Sequence, residues 1–488
     1  MQNGNKLIIT NIFWKFSERM LAQLISFIVS IVLARLLFPE AYGTIALMTV
    51  FISFLDILVT NGLPIALIQK IDTDELDFSS VFYFNSIFSI FLYILLFYSA
   101  PSIASFYSND ELILLIRVMG IRIVIASLNS VQHSYVSKHM MFKKYFWSTF
   151  FGTVLSGLIG ILLAINGFGV WALVAQYMTN TVVDTIVLWF TVRWRPILNF
   201  SWNRIRRMIS FGWKILVESI SENFSVQIRG LIIGKVYSPG DLAYYNKAQQ
   251  MPALLIKNIA VSISSVLLPS MSNNQNKEGF VLSLLRKSTK VASYVLFPLI
   301  TGLALVASPL IRILLTEKWI ECVPYMQIFC ITQGATIGMI TRHQALNSIG
   351  RSDVYMIEHI AYRIFFLTII FSIYRTSVMA IALSGIAGAL FMTLTVMYTS
   401  KRYNGYMYKD QILDILPTLI GCLLMSIPVW LIQNLKLSDM LTLILQIGVG
   451  SIIYIGYSIL FKIDSFTFCK NYYSHFTKKI KSSNLYKK

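Results

Sequence analysis

About fourteen apolar stretches, each near the roughly 20 residues that a helix needs to cross a bilayer, follow one another along this chain. The connections between them are short. Such a chain is predicted to be an all-α integral membrane protein, with spans near 12–34, 43–66, 79–104, 112–134, 147–166, 170–191, 209–235, 242–268, 290–315, 321–346, 354–374, 377–400, 412–433 and 440–461. Hydrophobic residues make up 56% of the 488 positions and charged residues 13%, outside the usual balance of a soluble protein. No connection is long enough for a separate catalytic domain. Residues 1–11 are polar and the following run is too long for a signal-peptide core, so no cleaved leader is expected.

The second half repeats the first at an offset of about 200 residues, the mark of a duplicated helical unit. Trp14-Lys15 returns as Trp213-Lys214, and Arg35 with Pro39 returns as Lys235 with Pro239. Glu111 and His133 return as Glu321 and His343, both 210 positions later. Transporters build two rocking bundles in this way. The expected division is an N-terminal six-helix lobe at 1–200 and a second at 201–405. Two further helices at 406–464 and a basic tail at 465–488 complete it.

Basic residues set the orientation. Connections on one side carry Lys138, Lys143, Lys144, Arg193, Arg195, Arg204, Arg206, Arg207, Lys277, Arg286, Lys287 and Lys290; the other side carries Arg35, Lys235, Lys318, Arg375 and Lys436. The positive-inside rule then puts both termini in the cytoplasm. One inward loop dissents, because Asp72, Asp74, Glu75 and Asp77 outnumber Lys70 there, but acids carry little topological weight. The net charge of +19 therefore reflects orientation and attraction to anionic lipid headgroups, not nucleic-acid binding. Cys322, Cys330, Cys422 and Cys469 lack CxxC spacing, and the five histidines lack metal-ligand spacing. No metal site and no catalytic residue is expected.

Charges within the spans are the functional signal, since an ionised side chain at the bilayer centre costs at least about 2.5–3.5 kcal/mol and normally faces a cavity or a partner. Lys15, Arg19, Arg117, Arg122, Lys214, Arg229, Lys247, Lys257, Arg312, Arg342 and Arg363 outnumber Glu18, Asp56, Asp184, Glu218, Glu222 and Glu358. Pairing leaves a positive interior suited to an anion. Lys214, Glu218, Ser221, Glu222, Ser225 and Arg229 recur at helical spacing along one face, as do Lys15, Glu18, Arg19, Gln23, Ser26 and Ser30 in the first span. Lys247, Gln250, Lys257 and Asn258 share another face, with Pro252 placed to kink that helix. Thr49, Ser53, Asp56 and Thr60 line the second span. Structural roles compete with these readings. Lys214 can simply neutralise Glu218 one turn on, and Lys15, Arg312 and Arg342 lie near span ends where their heads can snorkel to the interface. Arg117 and Arg122 are too far apart in phase for both to face one cavity.

Leu33-Ala34-Arg35-Leu36-Leu37-Phe38-Pro39-Glu40-Ala41-Tyr42-Gly43 resembles the signature after the first helix of bacterial polysaccharide exporters. Gly62-Leu63-Pro64-Ile65-Ala66-Leu67-Ile68-Gln69 and Ala100-Pro101-Ser102-Ile103-Ala104-Ser105-Phe106-Tyr107 resemble the ends of that family's second and third helices. The resemblance points to the Wzx-like O-antigen and colanic-acid exporters. Their superfamily also holds the multidrug-and-toxin (MATE-like) exporters and the lipid II flippase.

That resemblance implies two six-helix lobes plus two C-terminal helices, working by alternating access in the bacterial inner membrane. It also implies the substrate, an oligosaccharide repeat unit linked by pyrophosphate to undecaprenol and flipped to the outer leaflet for O-antigen, capsule or exopolysaccharide. Arg19, Arg229, Lys247, Lys257 and Arg122 are then the candidates for the pyrophosphate, through charge-assisted hydrogen bonds. Asp56, Glu218 and Glu222 are candidates for coupling to a proton or sodium ion, and no other cofactor is expected. Glycan polymerase and glycosyltransferases are the protein partners it implies, beside membrane lipids. No GxxxxGK[ST] loop is present, which speaks against a primary ATP-driven pump. A multidrug exporter of the same superfamily calls for an acidic interior. A membrane-embedded polymerase or ligase calls for a large outward loop.

Overall fold

The computed structural model describes residues 2–470 and, within the first helix, the side chains of Trp14, Ser17 and those from Arg19 onward. Lys15, Glu18 and the tail past 470 lie outside the described residues. In chain order the helices are α1 (Gln2–Leu36), α2 (Pro39–Thr60), α3 (Leu63–Gln69), α4 (Glu75–Tyr107), α5 (Glu111–Lys138), α6 (Phe142–Ile165), α7 (Val170–Thr191), α8 (Trp202–Val236) and α9 (Pro239–Ser272). They continue as α10 (Phe280–Leu305), α11 (Ala307–Leu315), α12 (Cys322–Ser348), α13 (Ser352–Ile373), α14 (Val378–Asn404), α15 (Tyr408–Leu413), α16 (Leu416–Ile432) and α17 (Asp439–Leu460). No strand occurs among the described residues.

Among the described residues, ten segments are long and apolar enough to cross a membrane. Four other long helices, α5, α7, α8 and α12, fall short of that apolarity because polar groups interrupt them. Arg117 and Arg122 do so in α5, Asn180 and Asp184 in α7, the Lys214–Arg229 series in α8, and Arg342 with His343 in α12. Three expected spans are each broken in two. The run at 43–66 splits into α2 and α3 at Gly62, whose φ of +68° suits glycine and precedes Pro64. The run at 290–315 breaks at Val306, and that at 412–433 breaks just before Pro417. Lipid contact is legible on α4, where Ile87, Ile90, Phe91, Ile94, Leu95 and Tyr98 are all exposed at helical spacing. A soluble protein does not present such a stripe to water.

The helices gather into two compact units that divide between Ala243 and Tyr244. In the first, α6 packs on α1 and α7, and α5 packs on α2, α4 and α7. Small residues set these approaches: a Cβ on Gly157 would meet the Val29 side chain at 2.5 Å, and one on Gly152 would meet the Asn180 carbonyl at 3.3 Å. α8 opens the second sequence repeat, yet it packs on α2, α3 and α4 inside the first unit. Packing and sequence kinship therefore draw different boundaries. At one end of this unit Leu67, Phe78, Phe82, Leu188 and Trp194 form an aromatic-rich core.

The acidic 72–77 loop has its own explanation there. Asp74 caps α4, its carboxylate accepting the Asp77 N–H at 2.9 Å while the Asp77 carboxylate accepts the Asp74 N–H at 3.2 Å. Arg204 at the start of α8 bonds both acids, and Lys70 bonds Asp77. The loop is acidic because it receives basic side chains from neighbouring segments.

In the second unit α12 packs between α10 and α14, and the α16–α17 pair packs on α10. Tyr454 donates to the Tyr294 carbonyl at 2.8 Å, and Tyr294 donates to Ser458 at 3.0 Å. Arg286 and Lys290 of α10 converge on Asp414, at 2.8 and 3.4 Å.

Candidate substrate and ion sites

The first unit concentrates its polar groups where α2, α5, α7 and α8 meet. Asp56 on α2 lies 3.4 Å from the Arg122 guanidinium on α5, and Arg122 Nε donates to Thr181 of α7 at 3.0 Å. Both groups are largely buried, at 18% and 29% exposed. Burial of a charge is tolerated when it is paired and hydrogen-bonded. Asp56 and Arg122, expected to serve a coupling ion and a pyrophosphate respectively, thus form one unit of charge. Sequence reasoning placed them on separate helices with no means of seeing the contact.

α8 carries two adjacent stripes. Ser219, Asn223 and Gln227, spaced by four, face α2: Asn61 donates to Ser219 at 2.9 Å, Gln227 donates to Ser53 at 3.1 Å, and Ser53 reaches Asn223 at 3.4 Å. Lys214, Glu218 and Glu222, one position earlier in each turn, are exposed, and Arg229 is half-buried. The anchoring stripe was not singled out from sequence. Its i, i+4 spacing was the available signal, overshadowed by the charges beside it. Arg19 on α1 is exposed.

In the second unit Lys247 is buried at 8% exposed, with its ammonium 5.7 Å from the centre of the Trp319 ring. Gln250 and Lys257 on the same helix are exposed, so Lys247 does not share their surroundings. Pro252 lies inside α9, buried. Other intramembrane cations have structural partners. Arg117 lies over the Phe97 ring at 4.1 Å and donates to the Phe97 carbonyl, joining α4 to α5. Arg312 ties α11 to Glu317 and Asp439, at 2.9 and 3.6 Å. Arg342 corrects the expectation of a snorkelling head: it is 2% exposed and sits 5.9 Å from the Tyr406 ring, because the segment after α14 covers it.

A family profile described as "Polysaccharide biosynthesis protein" matches residues 32–324. The chain belongs to the polysaccharide biosynthesis protein family. It is 27% identical over 306 residues to the teichuronic acid biosynthesis protein TuaB of Bacillus subtilis, covering 62% of this chain and 63% of that one. It is 24% identical over 349 residues to the succinoglycan biosynthesis transport protein ExoT of Rhizobium meliloti, covering 72% and 71%. With the lipopolysaccharide biosynthesis protein WzxC of Escherichia coli it shares 22% over 308 residues, covering 62% and 61%. The match thus spans a little over three-fifths to about seven-tenths of these relatives' lengths. In fold it is similar to the lipid II flippase MurJ in an inward closed conformation, with a TM-score of 0.72, 14% identity and coverage of 93% and 98%. An inward-facing multidrug resistance transporter of the MATE family gives a TM-score of 0.60 at 15% identity, covering 80% and 99%.

The family signature proves to be a set of turn and packing positions. Pro39 opens α2, where its missing N–H costs nothing. Gly43 lies against the Pro239 backbone, the proline that repeats Pro39, and a Cβ there would overlap the Pro239 carbonyl. These signature residues shape the scaffold.

Proposed function

We propose that this protein flips undecaprenyl-pyrophosphate-linked oligosaccharide repeat units across the bacterial inner membrane by alternating access. The observation that carries the reading is the union of a flippase-like fold with membership of a polysaccharide biosynthesis family. Relatives named for succinoglycan transport and teichuronic acid synthesis support a glycan cargo. The chain crosses the bilayer fourteen times, as lobes at 1–200 and 201–405 followed by a helix pair at 406–464, with both termini cytoplasmic. Arg19, Arg122, Arg229, Lys247 and Lys257 contribute to recognition of the pyrophosphate, and Asp56, Glu218 and Glu222 to ion coupling. The protein transports without making or breaking a covalent bond, and hands its cargo between glycosyltransferases and a polymerase.

Deleting the gene and assaying surface glycan with lipid-linked intermediates tests this. Lost glycan with completed repeat units on the inner leaflet is the expected result. Normal glycan without trapped intermediates overturns it. The MATE-like fold favours one second reading, a multidrug antiporter; unchanged glycan with altered drug accumulation would select it.

A further inference from the structure

A cavity of about 460 Å³ lies in the second unit between the start of α10 and the segment that follows α17. Ser283, Arg286, Lys287 and Lys290 form its wall on α10, at spacings of three and four that put them on one side of the helix. Asp464 and Phe468 stand opposite. Local structure builds that second wall. α17 ends at Leu460, Lys462 turns the chain with a φ of +48°, and the chain is helical again from Asp464. Ile463, Phe466 and Cys469 pack inward against the cluster of Tyr294, Cys422 and Tyr454. Asp464 and Phe468, four apart, are left on the cavity side.

The three bases of the cavity are not equivalent. Arg286 is held by Asp410 and Asp414, at 3.3 and 2.8 Å, and Lys290 by Asp414 and Asp464, at 3.4 and 3.6 Å. Lys287 takes part in no ion pair among the described residues. Its ammonium lies 4.2 Å from the centre of the Phe468 ring. The cavity therefore offers one uncompensated positive charge beside an aromatic face. A phosphodiester carries one negative charge and accepts charge-assisted hydrogen bonds. A pyrophosphate carries more charge than Lys287 alone can balance.

The surroundings point to a lipid. Ile459, Leu460 and Phe461 are exposed just before the second wall, so the adjoining surface is apolar, as acyl chains require. From 462 to 488 the sequence carries seven lysines, with Asp464 its sole acid. Basic clusters at the end of a membrane helix attract anionic headgroups.

We propose that this cavity seats the headgroup of an anionic glycerophospholipid, with Lys287 bonded to its phosphate and its acyl chains along the apolar end of α17. The lipid then bridges α10 and the segment after α17. The site uses none of the residues proposed for the pyrophosphate and requires no glycan, so it stands apart from the flippase reading.

The test is native mass spectrometry of the full-length protein in detergent, titrated with phosphatidylglycerol or with phosphatidylcholine of the same chains. The parent should retain a first phosphatidylglycerol in preference to phosphatidylcholine. Lys287→Gln should weaken that first binding about fivefold to tenfold, the effect of one lysine at a headgroup. Ser283→Glu keeps the lysine but sets a carboxylate one turn before it, where the two pair along the helix, and should weaken binding to a similar extent. Both positions are exposed, so neither variant disturbs the core. Lys277→Gln, which removes a charge from the preceding loop, should leave the first binding unchanged. Equal weakening by Lys277→Gln would mean diffuse attraction to a basic surface and overturns the site, as does unaltered binding by Lys287→Gln. Inorganic phosphate in large excess should not displace the lipid; displacement would make the cavity a site for free phosphate instead. Retention of undecaprenyl pyrophosphate in preference to phosphatidylglycerol, lost in Lys287→Gln, would give the cavity to the cargo lipid and overturns the proposal as well.

Discussion

The Asp56 carboxylate on α2 and the Arg122 guanidinium on α5 stand 3.4 Å apart in the first unit, with Thr181 of α7 holding the arginine's other edge. One largely buried contact therefore ties three helices. Breaking one side of such a pair strands the partner's charge, whereas removing both relieves the desolvation. Asp56→Asn and Arg122→Gln should each lower stability by about 1–3 kcal/mol, less than for a fully buried pair because both groups keep some exposure. The double variant should cost less than their sum by about 1 kcal/mol. Thermal unfolding of the four proteins in detergent completes the cycle; strict additivity would show that the contact carries no coupling.

Lys247 is a second buried cation, its ammonium set against the Trp319 ring. Methionine has a similar unbranched shape without the charge and its desolvation cost. Lys247→Met should leave the thermal midpoint unchanged or raised by the equivalent of about 1 kcal/mol, while glycan export falls at least about tenfold, some 1.4 kcal/mol of lost interaction. Lys247→Arg should retain part of the export. Full export by the methionine variant would remove Lys247 from the proposed substrate site.

The helical elements were largely legible in the sequence because hydropathy and helix length are local properties. The broken spans were less so. Gly62 and Pro64 were visible, but a run of apolar residues gives no indication that α2 ends at Thr60 and α3 starts anew. The site was legible as a list of charges and not as a set of contacts. Asp56 and Arg122 were assigned separate tasks because pairing across helices depends on packing. Asp184 and Glu358 were counted among interior acids, and His133 and His343 marked the repeat, yet nothing in linear spacing brings Asp184 to His133 or Glu358 to His343, at 2.9 and 3.1 Å. Arg342 was misread for the same reason: its distance from a helix end is local, but the cover over it comes from Tyr406.

Gly43 supplies a packing prediction. A Cβ there meets the carbonyl of Pro239, a backbone atom that cannot swing aside. Overpacking of this kind costs about 1–3 kcal/mol. Gly43→Ala should lower the thermal midpoint and the amount of protein in the membrane. Gly302→Ala, at a helical glycine with nothing within 4 Å of its added methyl, should leave both intact. Equal behaviour of the two variants would contradict the close approach.

The acidic loop before α4 predicts a dependence on pH. Hydrogen bonding from Arg204, aided by the Asp77 backbone N–H, holds the Asp74 carboxyl down at about 2, below its ordinary 3.8. A carboxyl depressed on folding stabilises the protein fully above its unfolded value, and that contribution fades as the pH falls through about 2. Because Asp74 is 55% exposed, solvent screening limits the pair to about 0.5–1 kcal/mol at neutral pH. Arg204→Gln should therefore be less stable than the parent by about that amount near neutrality, and the gap should narrow between pH 4 and 2 as Asp74 protonates in the parent too. Hydrogen exchange at the first turn of α4, followed across that range, reads the effect where it arises. A gap that stays constant down to pH 2 would mean that Arg204 holds the loop by packing and not through the Asp74 charge.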